Sequence, residues 1–408
     1  MHSEPGQWLN RTSGGLVALL VAALVLRSSL LLILAGSLLV AVVLAHLWGR
    51  YALERVEYRR QFERPRCFVG EELELKVELT NRKVLPITYL AIDDQVPLEL
   101  GIKARSLSYH RIGKGVLRFL FGLSWYQKVV RRYRVVPSRR GFYRVGPAIM
   151  QGGDPFGYVT DSRTIEEIET LVVYPRVVPL DALGIPTRRP FGDLKSRDRL
   201  FEDSMRFAGV REYQPGDPLN RIHWKASAAA GQMQVRLLDP SSNPGIAIFL
   251  NTWGWDLFWQ GVEPEVLETA CVVSASIAHW CCEEGVPVGV YANGLIQGWG
   301  MTLRLPPARG AQVLPQVLEG LARLQMPTSL SLAETLESEY SALQYGTSVV
   351  IVTRQVSEEA ADAIVRVHRS GRPVTLVLIG DTDKLPELPG IQIYHVTGEE
   401  ALHAAVLA

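Results

Sequence analysis

Hydrophobicity along the chain falls into three regimes. From Gly14 to Trp48 almost every position is apolar, broken only by Arg27-Ser28-Ser29. Leu30 to Trp48 has the length of a bilayer crossing, whereas Gly14 to Leu26, at about 13 residues, is short of the roughly 17–25 required. Two arrangements satisfy this pattern. Two helices can form a tight hairpin with Arg27 at the far interface, or one long helix can cross once with Gly14–Leu26 lying in the interface. The run His46-Leu47-Trp48-Gly49-Arg50-Tyr51 has the aromatic and basic make-up of an interfacial anchor. A cleaved signal peptide would show one shorter apolar core and a small-residue cleavage site, which this pattern does not match. Arg11 precedes the apolar region, and Arg50, Arg55, Arg59 and Arg60 follow it. The bias of basic residues toward the cytoplasm places both flanks inside the cell, which a hairpin satisfies at both ends. Asn10-Arg11-Thr12 matches a glycosylation sequon and is read as chance beside a cytoplasmic arginine.

The second regime has period two. Leu73, Leu75, Val77 and Leu79 alternate with Glu72, Glu74, Lys76 and Glu78, which predicts a half-buried strand. Asn81-Arg82-Lys83 reads as a turn. Further strands are predicted at Val56–Phe62, Ile87–Ile92, Val116–Phe121, Lys128–Val135, Gly141–Val145 and Leu171–Tyr174, the last stopped by Pro175. Short strands without a long helical period predict a small antiparallel sandwich over residues 51–178. Arg131, Arg132, Arg134, Arg139, Arg140 and Arg144 cluster here. They are either an anionic contact or a solvated sheet face; the absence of interleaved aromatic platforms favours the face and speaks against nucleic acid.

The third regime alternates strands and helices after a Pro- and Gly-rich linker, Pro179–Asp203. Strands are predicted at Gly245–Asn251, Val286–Tyr291, Ser348–Thr353, Pro373–Ile379 and Ile391–Val396, with a hairpin at Leu295–Leu305. Helices are predicted at Pro264–Glu284, Ala311–Leu324, Leu332–Leu343 and Ser357–Ser370, with a terminal helix after Val396. This order predicts a doubly wound, mainly parallel α/β sheet over residues 241–408. The whole chain is then a multi-domain protein: a membrane anchor over 1–50, a β-rich domain over 51–178, a linker with a turn and helix over 179–240, and the α/β domain.

Composition adds two constraints. With 47% hydrophobic and 21% charged residues and a net charge of +1, the chain is globular and carries no global basic signal for nucleic acid. Its four cysteines, Cys67, Cys271, Cys281 and Cys282, are too few and too irregular for a disulfide framework and match no zinc spacing. No phosphate-binding P-loop, dinucleotide fingerprint, nucleophile elbow or zinc-protease helix is present.

The segment Phe207–Gly231 carries the densest local chemistry. Pro215-Gly216 suits the centre of a type II turn. Asp217 can cap a helix with Pro218 at its first position, running to about Ala230 and ended by Gly231. Arg221 and Lys225 then lie on one helix face beside Trp224. Arg211, Glu212, Tyr213, Asp217 and Arg221 are either a latch between domains or a partner contact. His223 lacks a second ligand and reads as a structural or surface histidine.

Arg211-Glu212-Tyr213-Gln214-Pro215-Gly216-Asp217-Pro218, followed by Arg221-Ile222-His223-Trp224-Lys225-Ala226, resembles the hallmark of the bacterial domain-of-unknown-function 58 family. Asp154-Pro155-Phe156-Gly157, Val173-Tyr174-Pro175 and the order of the parts also resemble that family. Asn220 and Ala229 depart from it, standing where basic residues are common. The resemblance implies a von Willebrand factor type A-like C-terminal domain and a pairing with MoxR-type AAA+ ATPases, with no established enzymatic activity. A metal in such a domain would sit at the end of the first strand on Asp-x-Ser-x-Ser. Here that position reads Asn251-Thr252-Trp253-Gly254-Trp255, poor in the oxygen ligands a hard cation needs. Arg354, not an acid, follows the strand ending at Thr353, and Asp256 is the nearby carboxylate. Trp253, Trp255, Phe258 and Trp259 are either a protein-contact cluster or core. The expectation is a non-enzymatic, cofactor-free adaptor in the cytoplasmic membrane, with its soluble part in the cytoplasm, contacting an AAA+ ATPase and client proteins. The alternatives are a metal-dependent adhesion module outside the cell, or a hydrolase using Asp217 and His223.

Overall fold

The computed structural model describes residues 21, 25–26, 29–103, 107–111, 114–154, 160–188, 190–191, 207–214, 222–238, 245–253, 264–327, 330–344, 346–380 and 388–397. The chain divides into two compact units, Met1–Val173 and Tyr174–Ala408.

The first unit opens with helix α1, Ser29–Tyr51, whose 23 residues are long and apolar enough to cross a bilayer. Its side chains are apolar all round, and only Ala35, Ala45 and Gly49 are buried. A helix that exposes leucine and valine on every side matches a lipid solvent rather than water. The shorter apolar stretch that would make a hairpin lies mostly outside the described residues.

Among the described residues eleven strands follow. They are β1 (Val56–Phe62), β2 (Arg66–Phe68), β3 (Leu73–Asn81), β4 (Ile87–Pro97), β5 (Leu107–Arg111), β6 (Lys114–Leu123), β7 (Lys128–Val135), β8 (Gly141–Val145), β9 (Ala148–Gly153), β10 (Thr160–Ile165) and β11 (Glu169–Tyr174). They form sheets ordered β1-β3-β7, β10-β9-β4-β6-β5 and β2-β11-β8. The period-two pattern is realised directly: Leu73, Leu75, Val77 and Leu79 join Ile92, Leu117 and Phe119 in one core. The Phe119 and Tyr133 rings, 5.4 Å apart, bridge the first two sheets. Strands β2, β5, β9 and β10 escaped the sequence pattern because they are short or weakly alternating, as with Ala148-Ile149-Met150-Gln151-Gly152-Gly153.

Arg132 and Arg134 of the arginine cluster lie on a paired, solvated face, whereas Arg140 is buried. Strand β7 lies antiparallel to β3 with Arg134 opposite Glu74 and Arg132 opposite Lys76. Lys128 pairs with Glu78 at 2.9 Å, Arg132 with Glu74 at 3.8 Å, and Arg134 with Glu72. Arg131 lies over the Phe121 ring at 4.2 Å.

In the second unit β12 (Phe207–Glu212) pairs antiparallel with β13 (Gln234–Leu238), and helix α2 (Trp224–Ala230) lies between them in sequence. The remaining elements are β14 (Ile246–Leu250), α3 (Pro264–Glu283), β15 (Val288–Ile296), β16 (Thr302–Ala308), α4 (Val313–Arg323), β17 (Leu324–Pro327), α5 (Leu332–Glu339), β18 (Ser348–Thr353), α6 (Glu358–Arg369), β19 (Val374–Ile379) and β20 (Gln392–Val396). Their sheet runs β16-β15-β14-β18-β19-β20, with β17 also on β15. The pairs from β15 through β20 are parallel and β16 and β17 are antiparallel additions. Strands β14, β18 and β19 are buried along their whole length, as expected for parallel strands covered on both faces. Helix α5 begins with a complete capping box between Ser331 and Glu334, and Ser357 caps α6.

Three expectations change. The predicted linker does not run free from Pro179: Leu180, Leu183, Ile185 and Phe191 are buried, Val178 N donates to Ser276 Oγ at 2.9 Å, and Phe191 meets Trp280 edge-on. Proline and glycine punctuate this segment, but its apolar residues still find helix α3. The helix predicted from Pro218 begins at Trp224 instead, since Ile222 forms a β-bridge with Val235. Pairing with β13 captures the backbone that propensity alone would have coiled. Finally, β12, β13 and β17 were not anticipated.

Candidate functional site

In a doubly wound sheet the ligand crevice opens at the carboxyl ends of the strands, where the chain order reverses. Here β15 lies on one side of β14 and β18 on the other. Asn251 and Thr252 follow β14, Asn293 lies in β15, and Thr353 ends β18. The structure brings these four together.

They form one neutral network. Asn251 Nδ2 donates to Thr353 Oγ1 at 3.0 Å, and Thr353 Oγ1 donates to the Gln355 carbonyl at 2.7 Å. Asn251 Oδ1 accepts from Asn293 Nδ2 at 2.8 Å and from Trp253 N at 3.2 Å. Asn293 Oδ1 accepts from Thr252 N at 2.7 Å and from the Thr252 hydroxyl at 3.0 Å. Asn293 Nδ2 also donates to the Leu330 carbonyl at 3.2 Å. Thr252, Asn293 and Thr353 are buried. Both asparagine oxygens are thus occupied by donors from within the site, and none of the four side chains can ionise in the ordinary pH range. Sequence reading singled out Asn251 but missed Asn293, whose position in the buried strand Val288–Ile296 was the available signal. Of the aromatic cluster, Trp253 is half-buried, while Trp255, Asp256, Phe258 and Trp259 lie outside the described residues.

A shallow cleft opens at the other end of the sheet, lined in part by Gly245, Pro287, Tyr291 and Thr347. Arg304 and Glu339 pair across it at 3.0 Å.

The thiols are not poised for chemistry. Burial, with the Glu71 charge second, pushes Cys67 up to about 11, and burial also raises Cys281 and Cys282. A raised thiol is a protonated, weak nucleophile.

The residues of Phe207–Gly231 form a stitched module. His223 N donates to the Gln234 carbonyl at 2.8 Å, Tyr213 N to the Met233 carbonyl at 2.9 Å, and Gln234 N to Ser227 Oγ at 2.8 Å. His223 caps α2: its Nδ1 accepts from Ala226 N at 3.0 Å. That bond engages the Nδ1 lone pair in capping the helix start. Arg211 Nη1 donates to the Glu212 carbonyl at 3.0 Å. Val210, Trp224 and Met233 are exposed, and Lys225 and Glu212 are exposed beside them. Pro215, Gly216, Asp217 and Arg221 lie outside the described residues, so the latch proposed from sequence is not described.

A family model described as "Protein of unknown function DUF58" matches residues 209–405, from β12 almost to the end of the chain. Over residues 209–405 the chain is similar to the DUF58 family. The uncharacterized protein YeaD of Bacillus subtilis is 26% identical to it over 254 residues, 62% of this chain and 60% of the relative. The chain therefore spans less than two thirds of that relative's length. Among solved structures, a CARDB domain of a Pyrococcus furiosus protein covers 30% of this chain and 96% of its own at 11% identity and a TM-score of 0.21. A cohesin module of Clostridium perfringens covers 29% of this chain and 95% of its own at 13% identity and the same TM-score. Scores this low support no statement about the fold or role of this protein.

Proposed function

We propose that this protein is a membrane-anchored, non-enzymatic adaptor that works by contact with other proteins. The observation that carries this reading is the neutral network of Asn251, Thr252, Asn293 and Thr353. It stands where a doubly wound sheet offers its ligand site, and it spends its oxygens internally. Protonated thiols and a His223 engaged as a cap are consistent with it.

The partner surface in this reading is the β12–β13 hairpin with α2. It offers Trp224, Met233 and Val210 to solvent with Lys225 and Glu212 alongside, and aromatic residues in such settings are frequent binding hot spots. The resemblance supplies the partner class: a MoxR-type AAA+ ATPase, acting in the assembly or maturation of other complexes. The same resemblance would make the α/β domain von Willebrand factor type A-like. In this reading helix α1 is the anchor, and the bias of basic residues toward the cytoplasm supports a cytoplasmic side of the cytoplasmic membrane for the soluble units, since arginines follow the helix.

Affinity capture from detergent-solubilised membranes tests the proposal. The expected result is recovery of an AAA+ ATPase with the full chain and its loss with Trp224→Ala and Lys225→Glu. Failure to recover any AAA+ ATPase, or recovery that the two variants leave unchanged, would refute the assignment of partner or of surface respectively.

A further inference from the structure

Helix α1 leaves the apolar region at Arg50 and Tyr51, and β1 begins only a few residues later at Val56. That junction is clamped. Lys83 Nζ donates to the Ala52 carbonyl at 2.6 Å and to the Glu54 carbonyl at 2.8 Å. Arg82 N donates to the Arg55 carbonyl at 2.9 Å. Ala52 and Leu53 are buried, and Leu53 belongs to the core of the strand-rich unit. The exit of the helix is therefore built into one rim of that unit.

Two loops make up this rim beside the junction: residues 82–86 between β3 and β4, and 124–127 between β6 and β7. Register places them together, since Val56 pairs with Asn81, Lys128 with Thr80, and Ile87 with Leu123. The fully buried Asn81 holds both in shape: its Nδ2 donates to the Leu85 carbonyl at 3.0 Å and to the Ser124 carbonyl at 2.9 Å. Tyr126 N donates to the Lys83 carbonyl at 3.2 Å, tying the second loop to the residue that clamps the helix.

These pinned loops present apolar groups outward. Trp125 and Tyr126 are each 67% exposed and Val84 is 63% exposed. A turn in water has no reason to order a tryptophan and a tyrosine away from its own core. At the boundary of a bilayer the same residues are favoured, because the ring body prefers the acyl edge while the indole N–H and phenol O–H reach the headgroups.

We propose that this rim is a lipid-contact surface: loops 82–86 and 124–127 seat Val84, Trp125 and Tyr126 in the headgroup layer beside the exit of α1, so that the strand-rich unit rests on the membrane. The occupant is the bilayer because the rim is continuous in sequence and in hydrogen bonding with the helix that crosses it. This inference rests on the anchor reading of α1. It adds a fixed posture for the unit that follows, one that a flexible tether would not impose.

The full chain, reconstituted into phosphatidylethanolamine–phosphatidylglycerol vesicles, tests it with a photoreactive benzoylphenylalanine at one of two positions. One replaces Trp125. The other replaces Phe68, which is 40% exposed at the end of β2 on the opposite rim, where Gly70 N bonds the Pro137 carbonyl. The expected result is carbonate-resistant protein with lipid adducts from position 125 and none from position 68. Carbonate-resistant protein giving no lipid adduct at 125, or adducts only to protein, overturns the rim inference and leaves the anchor standing. Protein extracted by carbonate overturns the anchor and this inference with it. Both positions are exposed, so neither replacement opens a core cavity, and circular dichroism on each variant confirms the fold.

Discussion

Both units of this protein bury a polar cluster, and the two clusters are built on opposite principles. In the strand-rich unit the cluster is charged. Tyr58 and Arg60 of β1 face Asp94 of β4 across the core: the Tyr58 hydroxyl donates to Asp94 Oδ2 at 2.7 Å, and Arg60 Nη1 donates to Oδ1 at 2.5 Å. Arg60 Nη2 donates to the Glu167 carbonyl. Burial pushes the Asp94 carboxyl up from its ordinary value, against the pull of Arg60 and Tyr58, and burial with the Asp94 charge pushes the Tyr58 phenol up. Arg60 Nε has no hydrogen-bond partner among the described residues. In the α/β unit the cluster is neutral, and its amide and hydroxyl groups are matched donor to acceptor. A neutral network can lose one member at the cost of a hydrogen bond, whereas a buried ion pair that loses one partner strands a charge. Loss of one member should therefore cost the strand-rich unit more than the α/β unit.

That contrast can be broken in graded steps. The largest effect is expected from Arg60→Ala, which leaves Asp94 ionised or forces its protonation in the core, at a cost of about 3–5 kcal/mol. Hydrogen exchange in detergent or nanodiscs should show β1 and β4 amides losing protection while β14 and β18 keep theirs; uniform protection across both units would sink the distinction. Next is Gly146→Ala. Gly146 has φ +109, and a Cβ there would lie 2.1 Å from Arg60 Nη2 and 2.9 Å from the Glu167 carbonyl oxygen. Strained backbone and a displaced guanidinium together should cost on the order of 2–3 kcal/mol. Combined with Arg60→Ala the two penalties should be less than additive, and strict additivity in a double-mutant cycle would count against the contact.

Asn293→Ala should cost about 1–2 kcal/mol, since it takes the acceptor from Thr252 N and one of two donors from Asn251 Oδ1 without leaving a charge. Denaturant unfolding monitored on the α/β unit checks this, and a loss as large as that of Arg60→Ala would erase the difference between the clusters. The smallest effect belongs to the solvated face. Lys76 and Lys128 hold the Glu78 carboxyl down to about 2, from an ordinary 4.5. A depressed carboxylate stabilises the fold above its unfolded value and stops doing so as pH falls from about 4.5 toward 2. Glu78→Gln should flatten this part of the acid-unfolding curve slightly; an unchanged curve would mean that the pair is screened out.

The charged cluster was legible in outline and went unread. In β1 the inward register runs Val56, Tyr58, Arg60, Phe62, and in β4 it runs Leu90, Ile92, Asp94, Val96. An arginine and an aspartate each stand at an apolar register, but nothing local says that the two strands face one another. Asn251 was recognisable because it ends an apolar strand, while Asn293 and Thr353 become its partners only through the parallel pairing of β15, β14 and β18. The start of α2 was misplaced for a similar reason: Pro218 and Asp217 are good helix-start residues, yet Ile222 is drawn into a bridge with Val235 that lies beyond the helix.

Periodicity alone determined the apolar helix, the strands Val56–Phe62, Lys128–Val135, Gly141–Val145 and Ser348–Thr353 to the residue, and the alternation that makes the second unit α/β. These follow from local burial, which the side-chain period records. Tertiary structure decided which strands are neighbours, which buried polar groups meet, that Leu180, Leu183, Ile185 and Phe191 pack rather than dangle, and that Lys83 and Asn81 draw the helix exit and two loops, one of them aromatic, onto one rim. Those outcomes depend on contacts between residues far apart in the chain, and the free energy of such contacts belongs to the pair and appears in neither residue alone.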